Sequence, residues 1–389
     1  MMSSIPYGRQ DINQADIEAV AAVLRSDFLT QGPAVPMFEK AITDYCGAQY
    51  AVAVNSATSA LHIACLALGV GKGDTVWTTP ITFVASANCA LYCGATVDFV
   101  DIDSHTYNMS LERLAEKLVE AEKIGKLPKV LIPVHLCGQA CDMAGIYDLS
   151  QKYGFKIIED ASHAIGGKYK ADPIGNCRYS DITVFSFHPV KIITTGEGGM
   201  AVTNDAALAK HMRLLRSHGI STMSVDMRPR PSHEIWNYQQ IDLGFNYRMT
   251  DMQAALGSSQ MARLDSFVEK RHSIAKRYDN ELAGLPIQTP WQCHENYSAY
   301  HLYPILIKPN QSGISQRLVY DALHVADIKV NLHYIPVYRQ PYYEAMGFNA
   351  GYCPEAEQYY QQALSIPMYP TLTDAEQDKV IHILHEMLA

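Results

Sequence analysis

The feature that most constrains this chain is a series of short apolar runs at residues 50–54, 75–78, 96–100, 130–134, 156–159, 182–186 and 200–203. Helical patterns separate the earlier runs. Over residues 60–68, Leu61, Ala64, Cys65 and Leu68 share one face, and Gly69 stops the helix. Near-continuous apolar strands alternating with helices predict a mostly parallel sheet covered on both faces. The alternation breaks after Asp160, where two strands follow without an intervening helix.

A long helical pattern from about Met261 leads into a second unit, with strand-like stretches at 300–307 and 329–332 and a C-terminal helix from Asp374. We expect a large unit over 1–255 and a smaller one over 256–389, the boundary falling near a helix at 248–264. Segments 221–240 and 286–299 fit neither pattern. Loops of that length are often lids or interface segments, and Trp236, Tyr238 and Trp291 argue against simple disorder.

Composition narrows the function classes. With 31 Lys+Arg against 40 Asp+Glu, the net charge of −9 argues against a broad nucleic-acid surface. Local cations, Arg228 with Arg230 and the group Arg213, Arg216, His218, suit either a small anion or a solvated face. Nine scattered cysteines, with no Cys-x-x-Cys pair, predict free thiols in a reducing compartment, and no apolar run is long enough for a bilayer. The expectation is a cytoplasmic protein without a membrane partner.

In open α/β sheets ligands sit beyond the carboxyl ends of the strands, and four groups of residues fall at such ends. Asn55-Ser56-Ala57-Thr58-Ser59 leaves small residues before a helix, a place where backbone N–H groups take phosphate; a plain N-cap explains the same residues. Phe83, after the strand at 75–78, could stack on a ring, but on its own it reads as core. Asp160 ends an apolar strand; such a carboxylate can keep a pyridine nitrogen protonated, but alone it reads as a turn or N-cap aspartate. Ser186-Phe-His-Pro-Val-Lys191 places a lysine just beyond a strand, and a lysine in a desolvated pocket forms a Schiff base. The sequence after it, Ile192-Ile-Thr-Thr-Gly-Glu-Gly-Gly199, is too apolar and glycine-rich for an ordinary exposed turn.

This order of motifs resembles the fold-type I enzymes that use pyridoxal 5'-phosphate (PLP), specifically the DegT-type sugar aminotransferase family, over essentially the whole chain. The matching stretches are 29–32, 55–61, 80–88, 133–136, 159–164, 186–199 and 244–249. The resemblance is nearest to the branch serving pseudaminic acid biosynthesis, carried by 55–61, 162–164, 186–188 and 193–195. It implies a seven-stranded, mostly parallel α/β fold with a smaller α+β C-terminal domain. It also implies a homodimer with shared sites, and transfer of nitrogen from L-glutamate to the 4-keto carbon of a UDP-linked 6-deoxy-N-acetyl-hexosamine. Residue by residue, Lys191 matches the Schiff-base lysine, Asp160 the partner of the ring nitrogen, His163 the contact to the ring hydroxyl and Phe83 the stacking aromatic. Ala57, Thr58 and Ser186 match phosphate-binding positions, and Asn246 one that reaches the neighbouring subunit's phosphate. Tyr7, Phe28, Leu29, Thr30, His333 and Tyr334 lie in substrate-contacting stretches. A dehydratase of the same broad family has histidine in place of the lysine, and Lys191 favours transamination.

Two other motifs read differently. Gly69-Val-Gly-Lys-Gly73 ends a helix and precedes a strand, the reverse of a dinucleotide loop. His135, Cys137 and Cys141 suggest metal ligands, but without a second cluster they read as packed side chains, so no metal is expected. Amination of another UDP- or dTDP-linked keto sugar, or a PLP-binding protein without turnover, remain as alternatives.

Overall fold

The computed structural model describes residues 4–229, 231, 233–308 and 313–388; Arg230, one of the candidate cations, lies outside them. The seven apolar runs form one sheet: β1 (Tyr50–Val54), β2 (Thr75–Thr78), β3 (Thr96–Phe99), β4 (Val130–Ile132), β5 (Lys156–Asp160), β6 (Ile182–Ser186) and β7 (Gly199–Thr203), in the order β1-β7-β6-β5-β4-β2-β3. Only β7 runs against its neighbours, so the carboxyl ends of the other six share one edge. The central strands are buried along their length because helices cover both faces.

Where a strand hands over to a helix, the sequence supplies the cap. Ser56 caps Ala57–Ala67, its hydroxyl accepting the Ser59 N–H at 3.1 Å. This helix therefore starts three residues before the expected Ala60, because Ala57 and Thr58 are its first turn and not its lead-in. Gly69 follows that helix in a left-handed conformation (φ +74°), as a helix stop requires.

The C-terminal part packs a third core, which takes in residues between Ile274 and Leu388 and also Ile5. Its sheet joins Ile287–Gln288, Tyr303–Ile307 and Ala363–Ile366. Two strand expectations are corrected here. Residues 300–302 are irregular, since Tyr300 has φ +45° and the strand starts at Tyr303. Residues 329–332 form no strand, and Asn331 makes a single bridge to Ser365. The C-terminal helix spans Asp374–Leu388 as expected. The expected helix at 248–264 is shorter, Asp251–Met261, and Leu264–Glu281 follows as a separate helix.

Of the two unassigned segments, 286–299 is docked. Gln139 bonds the Trp291 carbonyl (3.1 Å) and the Cys293 N–H (2.6 Å), and Tyr297 exchanges backbone hydrogen bonds with Lys168. Segment 221–240 is closed at its base by pairing of Ile220–Ser221 with Gln239–Gln240, yet it exposes Ile235 and Trp236. No helix among the described residues is long and apolar enough to cross a membrane.

Candidate active site

A cavity of about 590 Å³ opens at the shared strand edge and brings together ten of the predicted positions: Tyr7, Ala57, Thr58, Phe83, Asp160, His163, Ser186, Lys191, His333 and Tyr334. One end is the first turn of the helix Ala57–Ala67. The first amides of any helix lack intrahelical acceptors, so Ala57 and Thr58 present N–H groups there. Gly199 sits in register between Val54 of β1 and Ser186 of β6. A Cβ on it would come within 2.5 Å of the Ser56 carbonyl carbon and the Ala57 nitrogen, so only glycine lets the strand pass beneath the helix start. Small residues thus make a cup with amide and hydroxyl donors.

Asp160 lies at the centre, buried at the end of β5. Its Oδ2 accepts the Ser86 hydroxyl (2.6 Å), and its Oδ1 accepts the Ser162 N–H (3.1 Å) and hydroxyl (2.5 Å). Each carboxylate oxygen has two acceptor positions, so the group keeps capacity for a further donor. Thr82 in turn shares a hydrogen bond with Ser86 at 2.8 Å. Ser86 was not legible as a site residue: it is one small residue in the alanine-rich helix Ala85–Tyr92, and its role follows from β5 lying opposite.

Lys191 follows β6 by five residues, in a turn closed by its own N–H to the His188 carbonyl (2.8 Å). The Thr195 N–H and Thr194 hydroxyl both bond the Phe187 carbonyl, folding the glycine-rich run back under the turn. The Lys191 side chain keeps part of its surface open to the cavity. Burial of its surroundings lowers its amine from 10.5 to about 8, against the raising effect of the nearby Asp160 charge. Roughly a tenth of the amine is therefore unprotonated and nucleophilic at pH 7, far more than an ordinary lysine offers.

His163 is buried, and its Nδ1 accepts the Cys137 N–H at 3.3 Å. Burial, then the charges of Lys191 and His333, push its pKa well below the ordinary range. The ring is therefore neutral with its proton on Nε2, which lies 3.2 Å from the Tyr334 hydroxyl. Burial lowers His333 to about 3, and its Nδ1 pairs with the Ser365 hydroxyl at 2.9 Å. Phe83 lines the cavity while 59% exposed, so it is a wall and not core.

Four predicted positions lie elsewhere. Phe28, Leu29 and Thr30 are on the surface, where Thr30 bridges Thr250 and the Leu29 carbonyl takes the Asp251 N–H. Asn246 is exposed, its backbone bridged to Ser217. Two candidate cations serve the scaffold: Arg213 bonds the Ala51 carbonyl, and Arg216 bonds Glu39 and the Ala53 carbonyl. His135 pairs with Glu159 at 2.8 Å, and no metal-binding cluster occurs among the described residues.

A strand-edge lysine with a lowered pKa, a buried carboxylate and a helix-start cup meet in one cavity, an arrangement that suits an anionic group held beside a reactive amine. The chain belongs to the DegT/DnrJ/EryC1/StrS aminotransferase family, whose profile matches residues 10–385. It is 38% identical to a UDP-4-amino-4,6-dideoxy-N-acetyl-beta-L-altrosamine transaminase of Campylobacter jejuni, covering 98% of each chain. Among solved structures it is similar to PseC of Helicobacter pylori, an aminotransferase of pseudaminic acid biosynthesis, with TM-score 0.90, 30% identity and 99% of each chain covered. It is also similar to the PLP form of Spr1654 from Streptococcus pneumoniae, described as a putative sugar aminotransferase, with TM-score 0.87, 29% identity, and 99% of this chain and 100% of that one covered.

Proposed function

We propose that this chain is a PLP-dependent aminotransferase that moves the amino group of L-glutamate to the 4-keto carbon of a UDP-linked 6-deoxy-N-acetyl-hexosamine. The observation that carries the reading is Lys191, lowered to about 8, in one cavity with Asp160 and the helix start at Ala57. The aminotransferase family and the similarity to the altrosamine transaminase and to PseC support it.

The residues present fit the cofactor. The Ala57 and Thr58 amides with the Ser186 hydroxyl would hold its phosphate, where a Cβ on Gly199 would displace the helix start. Asp160 would accept the ring N–H, Phe83 would cover the ring, and the Nε2–H of His163 would face its phenolic oxygen. When bound, PLP supplies an electron sink for the charge left as a proton leaves the substrate carbon.

Lys191 does the proton work. Its neutral Nζ would take the proton from the amino carbon of the donor as general base and, as the acid, deliver it to the former aldehyde carbon of the cofactor, so that nitrogen stays behind when the keto acid leaves. Asp160, fixed by Ser86 and Ser162, keeps the ring nitrogen protonated without having to reorganise. Donor and sugar use the cavity in turn, so double-reciprocal plots should be parallel. We further propose a cytoplasmic homodimer in which Asn246 reaches the neighbouring site, consistent with its exposed position outside its own cavity.

Incubation with L-glutamate and a panel of UDP- and dTDP-linked keto sugars, followed by mass spectrometry, tests the assignment. We expect the 4-amino product of the UDP-linked 6-deoxy-N-acetyl sugar. Lys191→Ala should lose both turnover and the visible absorbance of covalently held cofactor. Preferred amination of another sugar overturns the substrate, and an unchanged spectrum in Lys191→Ala overturns the mechanism.

A further inference from the structure

His301 has no part in the account above, yet it lies buried in the wall of the cavity on a braced stretch of backbone. It is 3% exposed and lines the cavity. Its ring lies 4.4 Å from that of His163, centroid to centroid. The backbone carrying it is braced from two sides. Arg271, buried in the helix Leu264–Glu281, donates to the carbonyls of Tyr300 and His301 (3.1 Å each) and of Met368 (3.0 Å). Gly138, with φ +107°, lets residues 299–300 pass close by: a Cβ there would lie 2.7 Å from the Tyr300 nitrogen and 3.1 Å from the Ala299 carbonyl carbon.

The ring has one sealed nitrogen and one open one. Nδ1 is buried without a hydrogen-bond partner, whereas Nε2, also unbonded by protein, is the edge left to the cavity. Burial first, then His163, Lys191, Arg271 and His333, push the ring well below its ordinary pKa, so it is neutral and carries one N–H. An N–H at Nδ1 would be a buried donor without acceptor. A lone pair there costs less, which places the proton on Nε2.

The geometry points to His301 as a second neutral imidazole donor of the site, its Nε2–H holding an oxygen of the bound substrate. The inference rests on the function proposed above, in which the reactants occupy this cavity. It also explains how the cavity handles substrate oxygens: Lys191 is the one cationic side chain among its described lining residues, and that amine is needed for chemistry. His163 spends its own Nε2–H on Tyr334 or the cofactor, so it does not serve this purpose.

His301→Phe keeps a ring against His163 and removes the donor; His301→Gln returns an N–H near the Nε2 position. We expect the Phe variant to retain the visible absorbance of bound cofactor and a kcat within about twofold. It should raise KM for glutamate or for the sugar by roughly three- to tenfold, with substantial recovery in the Gln variant. Unchanged KM for both reactants in the Phe variant, or loss of the cofactor absorbance, overturns the proposal. A second readout uses the wild-type holoenzyme without turnover: its long-range 1H–15N histidine spectrum should show His301 protonated at Nε2, that resonance shifting when UDP-linked keto sugar is added to the PLP form or glutamate to the aminated cofactor form, pairings that cannot react. A proton on Nδ1, or no shift with either ligand, also overturns it. Absent turnover and absent cofactor absorbance in the wild type would instead sink the proposed function.

Discussion

At the scale of single residues, the site works by contrast of environments. Lys191 and Asp160 sit in one cavity, but the lysine is surrounded by groups that strip its solvent, whereas the carboxylate is wrapped by Ser86 and Ser162. The neutral amine is the form that attacks an aldehyde. Covalent loading of cofactor onto the apo-protein should therefore rise with pH through a midpoint of about 8 and level off above it, rather than climb toward 10.5. Stopped-flow absorbance across a pH series measures this directly. The Asp160 charge raises the lysine pKa, so Asp160→Asn should move the midpoint lower. The same variant should lower turnover on the order of 10²–10³-fold, as loss of a preorganised charge does elsewhere. A midpoint that moves upward would show that the two groups do not interact as described.

At the scale of elements, Gly199 couples β7, β1, β6 and the start of the helix at Ala57. Gly199→Ala has no room to relax, because the obstacle is backbone. We expect about 1–3 kcal/mol of destabilisation and weakened cofactor retention, read by chemical denaturation and by absorbance after dialysis. Wild-type retention in that variant would remove the cup from the phosphate site. This level also shows what a sequence makes legible. Strands at 50–54 and 182–186 are visible because buried parallel strands are written as unbroken apolar runs. Lys191 and Asp160 are visible because each ends such a run. The start of the helix at Ala57 was missed by three residues because Ser56, Thr58 and Ser59 are all competent caps, and only the backbone decides among them. Residues 300–302 look like a strand by composition, but Arg271 and Gly138 hold them in an irregular course, and both of those are distant in sequence. His301 was hidden for the same reason.

At the scale of the whole molecule, the surface between Ile220 and Leu243 is unusual for a monomer: Ile235 is 91% exposed, Leu243 75% and Trp236 71%. A second copy of the chain is the partner we propose for it, with Asn246 just beyond on the same stretch. Sedimentation should give a dimer at micromolar concentration. Trp236→Asp combined with Leu243→Asp should shift it toward monomer and weaken cofactor retention together; a monomeric wild type would refute the shared site. We likewise propose division into 1–255 and 256–389, with Ile5 as a tie, since it pairs with Ile328 and packs in the third core. The contact of His163 with His301 and Tyr334 has its own outcome during synthesis. A ribosome can release the sheet, the helix-start cup and Lys191 early, but the wall that closes the cavity comes only with the last quarter of the polypeptide. A prematurely ended product would leave Lys191 without that enclosure, solvated and held protonated, so the order of translation itself delays catalysis until the chain is nearly complete.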